Sequence, residues 1–272
     1  MTSKHSRIWW PLILVVIGCN ERSSAPPAAP PAPTPTAAAP ATPTPAVEPP
    51  TTPPPTPDAA LKDHMQEHFA AITEIQRAVV RSNLAAAQSA ARYLAEHVEH
   101  GAIAGWKPYV DALRQAATRV ANAKDIPTAG LAAATLGHTC ARCHAAHSAI
   151  VTFAWEPQPE GDDSLVVQMR RHQWAAARLW EGLVGPSDEM WAEGASALAA
   201  ANFTKVTAQA KARGVEVARF ATTVKSLAQK AGAVPEGDAR ADLYGQLLKA
   251  CASCHQLTRD RDPSAWSAPP DK

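Results

Sequence analysis

Twice along this chain a helical stretch ends in the same pentapeptide pattern, C-x-x-C-H. The copies are Cys140-Ala141-Arg142-Cys143-His144 and Cys251-Ala252-Ser253-Cys254-His255. The pattern is the attachment signal of a c-type haem. Its two thiols form thioethers with one porphyrin, and the adjacent histidine offers the iron a neutral imidazole. A zinc ribbon would bring its second C-x-x-C about 15–20 residues after the first, whereas the first cysteines here lie 111 positions apart. A dithiol redox pair has no use for a trailing histidine in both copies. The expectation is two haem c groups, held by Cys140, Cys143, Cys251 and Cys254, with His144 and His255 as proximal iron ligands.

The repeat extends well upstream of the motifs. Leu61, Met65, His68, Ile72, Ile75 and Val79 step by four and three, the stripe of one helix face. Leu165, Met169, His172, Ala176, Leu179 and Leu183 make the same stripe, displaced by 104. Ala87, Ala91 and Leu94 match Trp191, Ala195 and Leu198 at that displacement. Val110, Leu113, Ala117 and Val120 match Val217, Phe220, Val224 and Leu227 at 107, and the motifs themselves match at 111. The displacement changes only between helices, so the added residues belong in loops.

Boundary signals agree. Asp58, Asn83 and Ser187 suit N-caps, and Pro108 and Pro127 suit first turns. Alanine and leucine dominate, and no alternating strand pattern of useful length is seen. The fold class expected is all-α: two tandem four-helix bundles, each with a haem c near the C-terminal end of its last helix. The first bundle spans 59–152, the second 164–262, with a linker at 153–163 and a tail at 263–272. Each unit is small and alanine-rich, so the cofactor would complete a thin core.

The N-terminus is an address. Lys4, His5 and Arg7 precede an apolar run from Ile8 to Gly18, too short for the roughly 20 residues of a membrane span. It ends Val16-Ile17-Gly18-Cys19, which resembles a bacterial lipoprotein signal peptide over residues 1–19, with Cys19 the lipidated residue. Four of the five cysteines lie in the motifs and the fifth is Cys19, which leaves none for a disulfide. Residues 20–58 form a tether; from Ser23 to Asp58 there are 15 prolines in 36 residues. Such a segment has too little apolar side chain to repay ordering. In polyproline II it reaches on the order of 100 Å at about 3.1 Å per residue. The expected location is the periplasm, on a bacterial membrane by its lipid.

The C-terminal placement of each motif resembles the class II cytochromes c, the cytochrome c-prime and c-556 group. The resemblance runs from about Ala59 to Thr258. It implies four-helix bundles in which the start of the first helix lies beside the end of the last. There an M-x-x-H pair recurs: Met65 and His68, then Met169 and His172. The c-556 branch places its sixth iron ligand at the methionine, which implies Met65 and Met169; His68 and His172 depart from that pattern and are the alternative ligands. The c-prime branch leaves the iron open.

Formal charge is nearly balanced, with 26 basic against 25 acidic residues, and gives no nucleic-acid footprint. No hydrolytic constellation is evident, and a diheme peroxidase finds no support beyond the haems. His138 and His147 flank only the first motif and are expected to be solvated; His64, His97 and His100 likewise occur once. Trp106, Trp174 and Trp180 read as core or haem-wall aromatics. The function expected is electron transfer by a lipid-tethered carrier between periplasmic or membrane redox partners. The alternative is binding of gases such as nitric oxide or carbon monoxide at an open iron.

Overall fold

Good helix formers interrupted by short polar caps give the chain its elements. The computed structural model describes residues 59–97 and 105–259. The expected signal segment with Cys19, the expected Pro-rich tether with Asp58, and the expected tail lie outside the described residues. Helices α1 (Ala59–Val80), α2 (Leu84–Glu96), α3 (Lys107–Ala121) and α4 (Ile126–Ala146) form the first repeat. The second holds α5 (Leu165–Val184), α6 (Asp188–Ala200), α7 (Thr204–Ala212), α8 (Ala218–Ala231) and α9 (Asp238–Arg259). Among the described residues there is no strand, and no helix is long and apolar enough to cross a membrane.

The caps are where composition puts them. Asn83 Oδ1 accepts from the Ala86 N–H at 3.1 Å, and Asp125 Oδ1 from Thr128 at 2.7 Å. The Ser187 hydroxyl accepts from Met190, and Pro108 and Pro127 sit in the first turns of α3 and α4. Each such cap stabilises its helix by about 1 kcal/mol.

Helix α7 has no counterpart in the expected pattern. It occupies the stretch where the repeat displacement rises from 104 to 107. Asn202 Oδ1 accepts from the Thr204 N–H and ties down its first turn. Only Ala210 of this helix is buried, so α7 carries no apolar stripe for periodicity to reveal.

In each repeat four helices contact in a cycle: α1 on α2, α2 on α3, α3 on α4 and α4 on α1; then α5 on α6, α6 on α8, α8 on α9 and α9 on α5. The repeats do not keep separate cores. One buried cluster runs from Ile72 and Val79 through Leu136 and Trp180 to Tyr244 and Leu248.

The seam of that shared core is α4 against α9, one of the two most extensive helix contacts in the molecule. A Cβ on Gly130 would lie 3.4 Å from Leu248, and one on Gly245 would lie 3.1 Å from the Leu131 Cα and 3.5 Å from the Ala134 Cβ. The pairing descends one helix as it climbs the other, so α4 and α9 are antiparallel. Ala134 and Gly245 are equivalent at the displacement of 111; where they meet marks a local two-fold relation between the repeats.

The segment 153–163 is strapped down rather than loose. Trp174 Nε1 donates to the Glu156 carbonyl at 2.8 Å, and Arg171 Nε to the Pro159 carbonyl at 3.0 Å. Phe153 packs on Phe69 of α1, ring centres 5.0 Å apart.

Candidate functional site

A helix leaves its last carbonyls without intrahelical partners, and the two motif histidines use that fact. His144 Nδ1, in the last turn of α4, lies 3.0 Å from the Val184 carbonyl at the end of α5. His255 Nδ1, on α9, lies 3.0 Å from the Val80 carbonyl at the end of α1. A carbonyl only accepts, so in both rings Nδ1 carries the proton and Nε2 keeps its lone pair. Val80 and Val184 are equivalent at 104, as His144 and His255 are at 111. The bonds are therefore the same bond made twice, each across to the other repeat.

Neighbouring contacts fix the α1 end. Ser82 Oγ donates to the Ala252 carbonyl at 2.8 Å, and Arg259 Nη1 to the Arg81 carbonyl at 2.7 Å. Burial pushes His255 down to about 4, and pushes His144 below the usual histidine range. Both rings are neutral near pH 7 and suited to bind a metal through Nε2.

Thiol chemistry in the motifs is governed by the same burial. It pushes Cys140 and Cys251 up to about 12, and Cys254 up to about 11. Cys254 packs with Phe220, Leu257 and the buried Ala210, Val215 and Val217. Against Val215 and Leu257 opens a cleft of about 360 Å³. A second, of about 500 Å³, lies between α7 and α8, lined by Phe203, Thr207 and Ala221 with the polar Asn202, Thr222 and Lys225. The second motif thus has two thiols and an Nε2 lone pair, with Cys254 against the apolar Val215, Val217, Phe220 and Leu257.

The candidate distal residues separate by repeat. His172 on α5 stacks on Phe203 with ring centres 4.1 Å apart. Its Nε2 is buried without a hydrogen-bond partner. Burial first, and then the nearby His255, push its pKa down to about 4. His68, at the equivalent place on α1, turns to other histidines: its ring centre is 4.3 Å from His64 and 5.2 Å from His97. Met65 and Met169 are half-buried on α1 and α5.

The two histidines expected in solvent are not free in it. His138 is 9% exposed, with Nε2 3.2 Å from Asp238 across the seam. His147 packs against Trp106 and Tyr109, and its Nε2 is buried. His64 and His97 join His68. Only the i, i+4 spacing of His64 and His68 hinted at that group; His97, on α2, could be placed only by the fold. His100 lies outside the described residues. Trp174 and Trp180 are buried as expected, and Trp106 is half-buried.

Comparison with protein-family models, curated proteins and solved structures finds no match to this chain.

Proposed function

We propose that this chain is a diheme c-type cytochrome that carries electrons between redox partners in the periplasm, tethered to a membrane by lipid on Cys19. One haem c is joined to Cys140 and Cys143 with His144 on its iron, the other to Cys251 and Cys254 with His255. The observation that carries the reading is the paired Nδ1–H bond to a backbone carbonyl, His144 to Val184 and His255 to Val80. Such a bond orients a metal-bound histidine and raises its basicity.

The thiols support the same choice. A dithiol redox pair works with lowered thiol pKa values, and burial moves these in the opposite direction. When bound, haem supplies a reversible one-electron iron couple. The protein's part is to hold the proximal rings, exclude water and set the axial donors. At the second repeat the geometry favours His172 as the sixth donor, because its buried Nε2 has no other partner and His255 is near. At the first, where His68 is engaged with His64 and His97, the donor is Met65. A bis-histidine iron has a lower potential than a histidine–methionine iron, so the two haems differ in potential.

The test is intact mass and a visible and near-infrared spectrum of the full chain, matured with the c-type assembly machinery. Two covalent haems, falling to one in Cys251→Ser/Cys254→Ser, are expected. A chain that carries zinc or no haem overturns the reading. High-spin iron with ready carbon monoxide binding at both sites would replace electron transfer by gas binding. The anchor has its own check: Cys19→Ser should release the protein from membranes, and an unchanged fractionation would remove the lipid from the proposal.

A further inference from the structure

His64 and His68 on α1 and His97 at the C-terminal cap of α2 converge with imidazole nitrogens all within 4.8 Å of one another. The ring centres lie 4.3, 5.1 and 5.2 Å apart. His64 and His68 are one helical turn apart, so both rings leave the same face of α1. The C-cap of α2 is the point at which the chain can bring a third ring to that face. His68 and His64 are only 8% and 9% exposed, and the Nε2 of His97 is buried without a hydrogen-bond partner.

The second repeat serves as an internal control. Its equivalents at displacement 104 are Gln168, His172 and Ala201. Ala201 caps α6 as His97 caps α2, so the places correspond in the fold as well as in number. There the single histidine stacks on Phe203 instead. A packing role common to both repeats would not call for three imidazoles in one and one in the other.

We propose that His64, His68 and His97 bind a divalent late transition ion, zinc or copper, separate from the motif cysteines and histidines. Imidazole nitrogen suits both ions, and copper is held more tightly in the Irving–Williams order. A tetrahedral site with arms of 2.0–2.1 Å separates its donors by about 3.4 Å, so small side-chain rotations close the set. Three protein donors leave a fourth position for solvent or a small ligand. The run His64-Met65-Gln66-Glu67-His68 also has the H-x-x-E-H order of some zinc peptidases. Glu67 is exposed here, and hydrolysis is no part of the proposal.

The experiment uses the full chain as purified, stripped with chelator and titrated with zinc sulfate by calorimetry, with elemental analysis after gel filtration. One zinc per chain is expected beyond any iron, displaced by equimolar copper. His97→Ala and His64→Gln should each weaken zinc at least tenfold, while His172→Ala leaves it unchanged. Circular dichroism confirms that the variants are folded. Zinc should also protect His64 and His97 of the unaltered chain from diethylpyrocarbonate, a readout that needs no variant. Absence of stoichiometric zinc and of that protection overturns the proposal, as does a folded His97→Ala chain that binds zinc as the parent does.

Discussion

A histidine held by a carbonyl through Nδ1–H is a ring with one proton and one assignment. Burial pushes His255 down to about 4 against the pull of its carbonyl bond, and pushes His172, which has no such bond, to about the same value, against 6.5 for a free imidazole. Between those values the unfolded chain binds more protons than the folded one. The stability contribution is therefore complete above about pH 6.5 and lost as pH falls toward 4. In the haem-free chain this amounts to on the order of 2–3 kcal/mol for each ring. The urea midpoint should drop between pH 7.5 and 4.5, and His172→Gln should flatten that dependence. An equal slope in parent and variant would place the titrating groups elsewhere. The thiols give a second expectation at this scale. With Cys140 and Cys251 raised to about 12, iodoacetamide at pH 8 should label them in the haem-free chain many times more slowly than after denaturation. Comparable rates in the two states would contradict the burial.

At the scale of elements, α4 and α9 meet closely because small residues line the contact. On Gly245 even a methyl would sit 2.9 Å from Leu131 Cδ2 and 3.1 Å from the Leu131 Cα. Gly245→Val must part the helices there, with a cost of about 1–3 kcal/mol by the measure of overpacked cores. A melting temperature within a degree or two of the parent would show the seam to be looser than described. Very little of this seam was legible in the sequence. The stripe Ile72, Ile75, Val79 and the caps Asn83 and Ser187 could be read directly, because periodicity and capping are local. From Ile126 to Gly137 helix α4 has no charged residue. Its Ala129, Ala133, Leu136 and Gly137 are buried while Thr128, Leu131 and Thr135 stay exposed; a run without charge does not say which face is covered, or by what. The motif histidines were legible as residues; their carbonyl partners, 40 and 175 positions away, were not. Backbone acceptors leave no mark on sequence. The group of His64, His68 and His97 was hidden for a related reason, since α2 contributes its histidine from the end of a separate stripe.

For the whole molecule, the crossed bonds and the shared core mean that neither repeat is a finished unit. From the Ala134–Gly245 contact, His144 and His255 each lie ten residues further along antiparallel helices, about 15 Å each way at 1.5 Å per residue. The two motif histidines thus stand about 30 Å apart along the seam, beyond the roughly 8 Å Debye length of physiological salt, so a charge placed at one should barely shift the other. The repeats depend on each other mechanically instead. Separation strips Trp180 from Gly137, Leu248 from Gly130 and Tyr244 from Gln76, and takes from His144 and His255 their carbonyls. With about 1.5–3 kcal/mol for each large side chain returned to water, the loss is on the order of 10 kcal/mol, comparable to the 5–15 kcal/mol total of an ordinary domain. Residues 56–152 and 153–272 produced separately should each show no cooperative thermal transition by circular dichroism. Mixed together, or made by cleaving an engineered protease site between Pro157 and Gly161, they should recover one. A half that melts alone with the midpoint of the full chain would mean that each repeat keeps a sufficient core of its own, and that the crossed histidine bonds follow from the association without being needed for the fold.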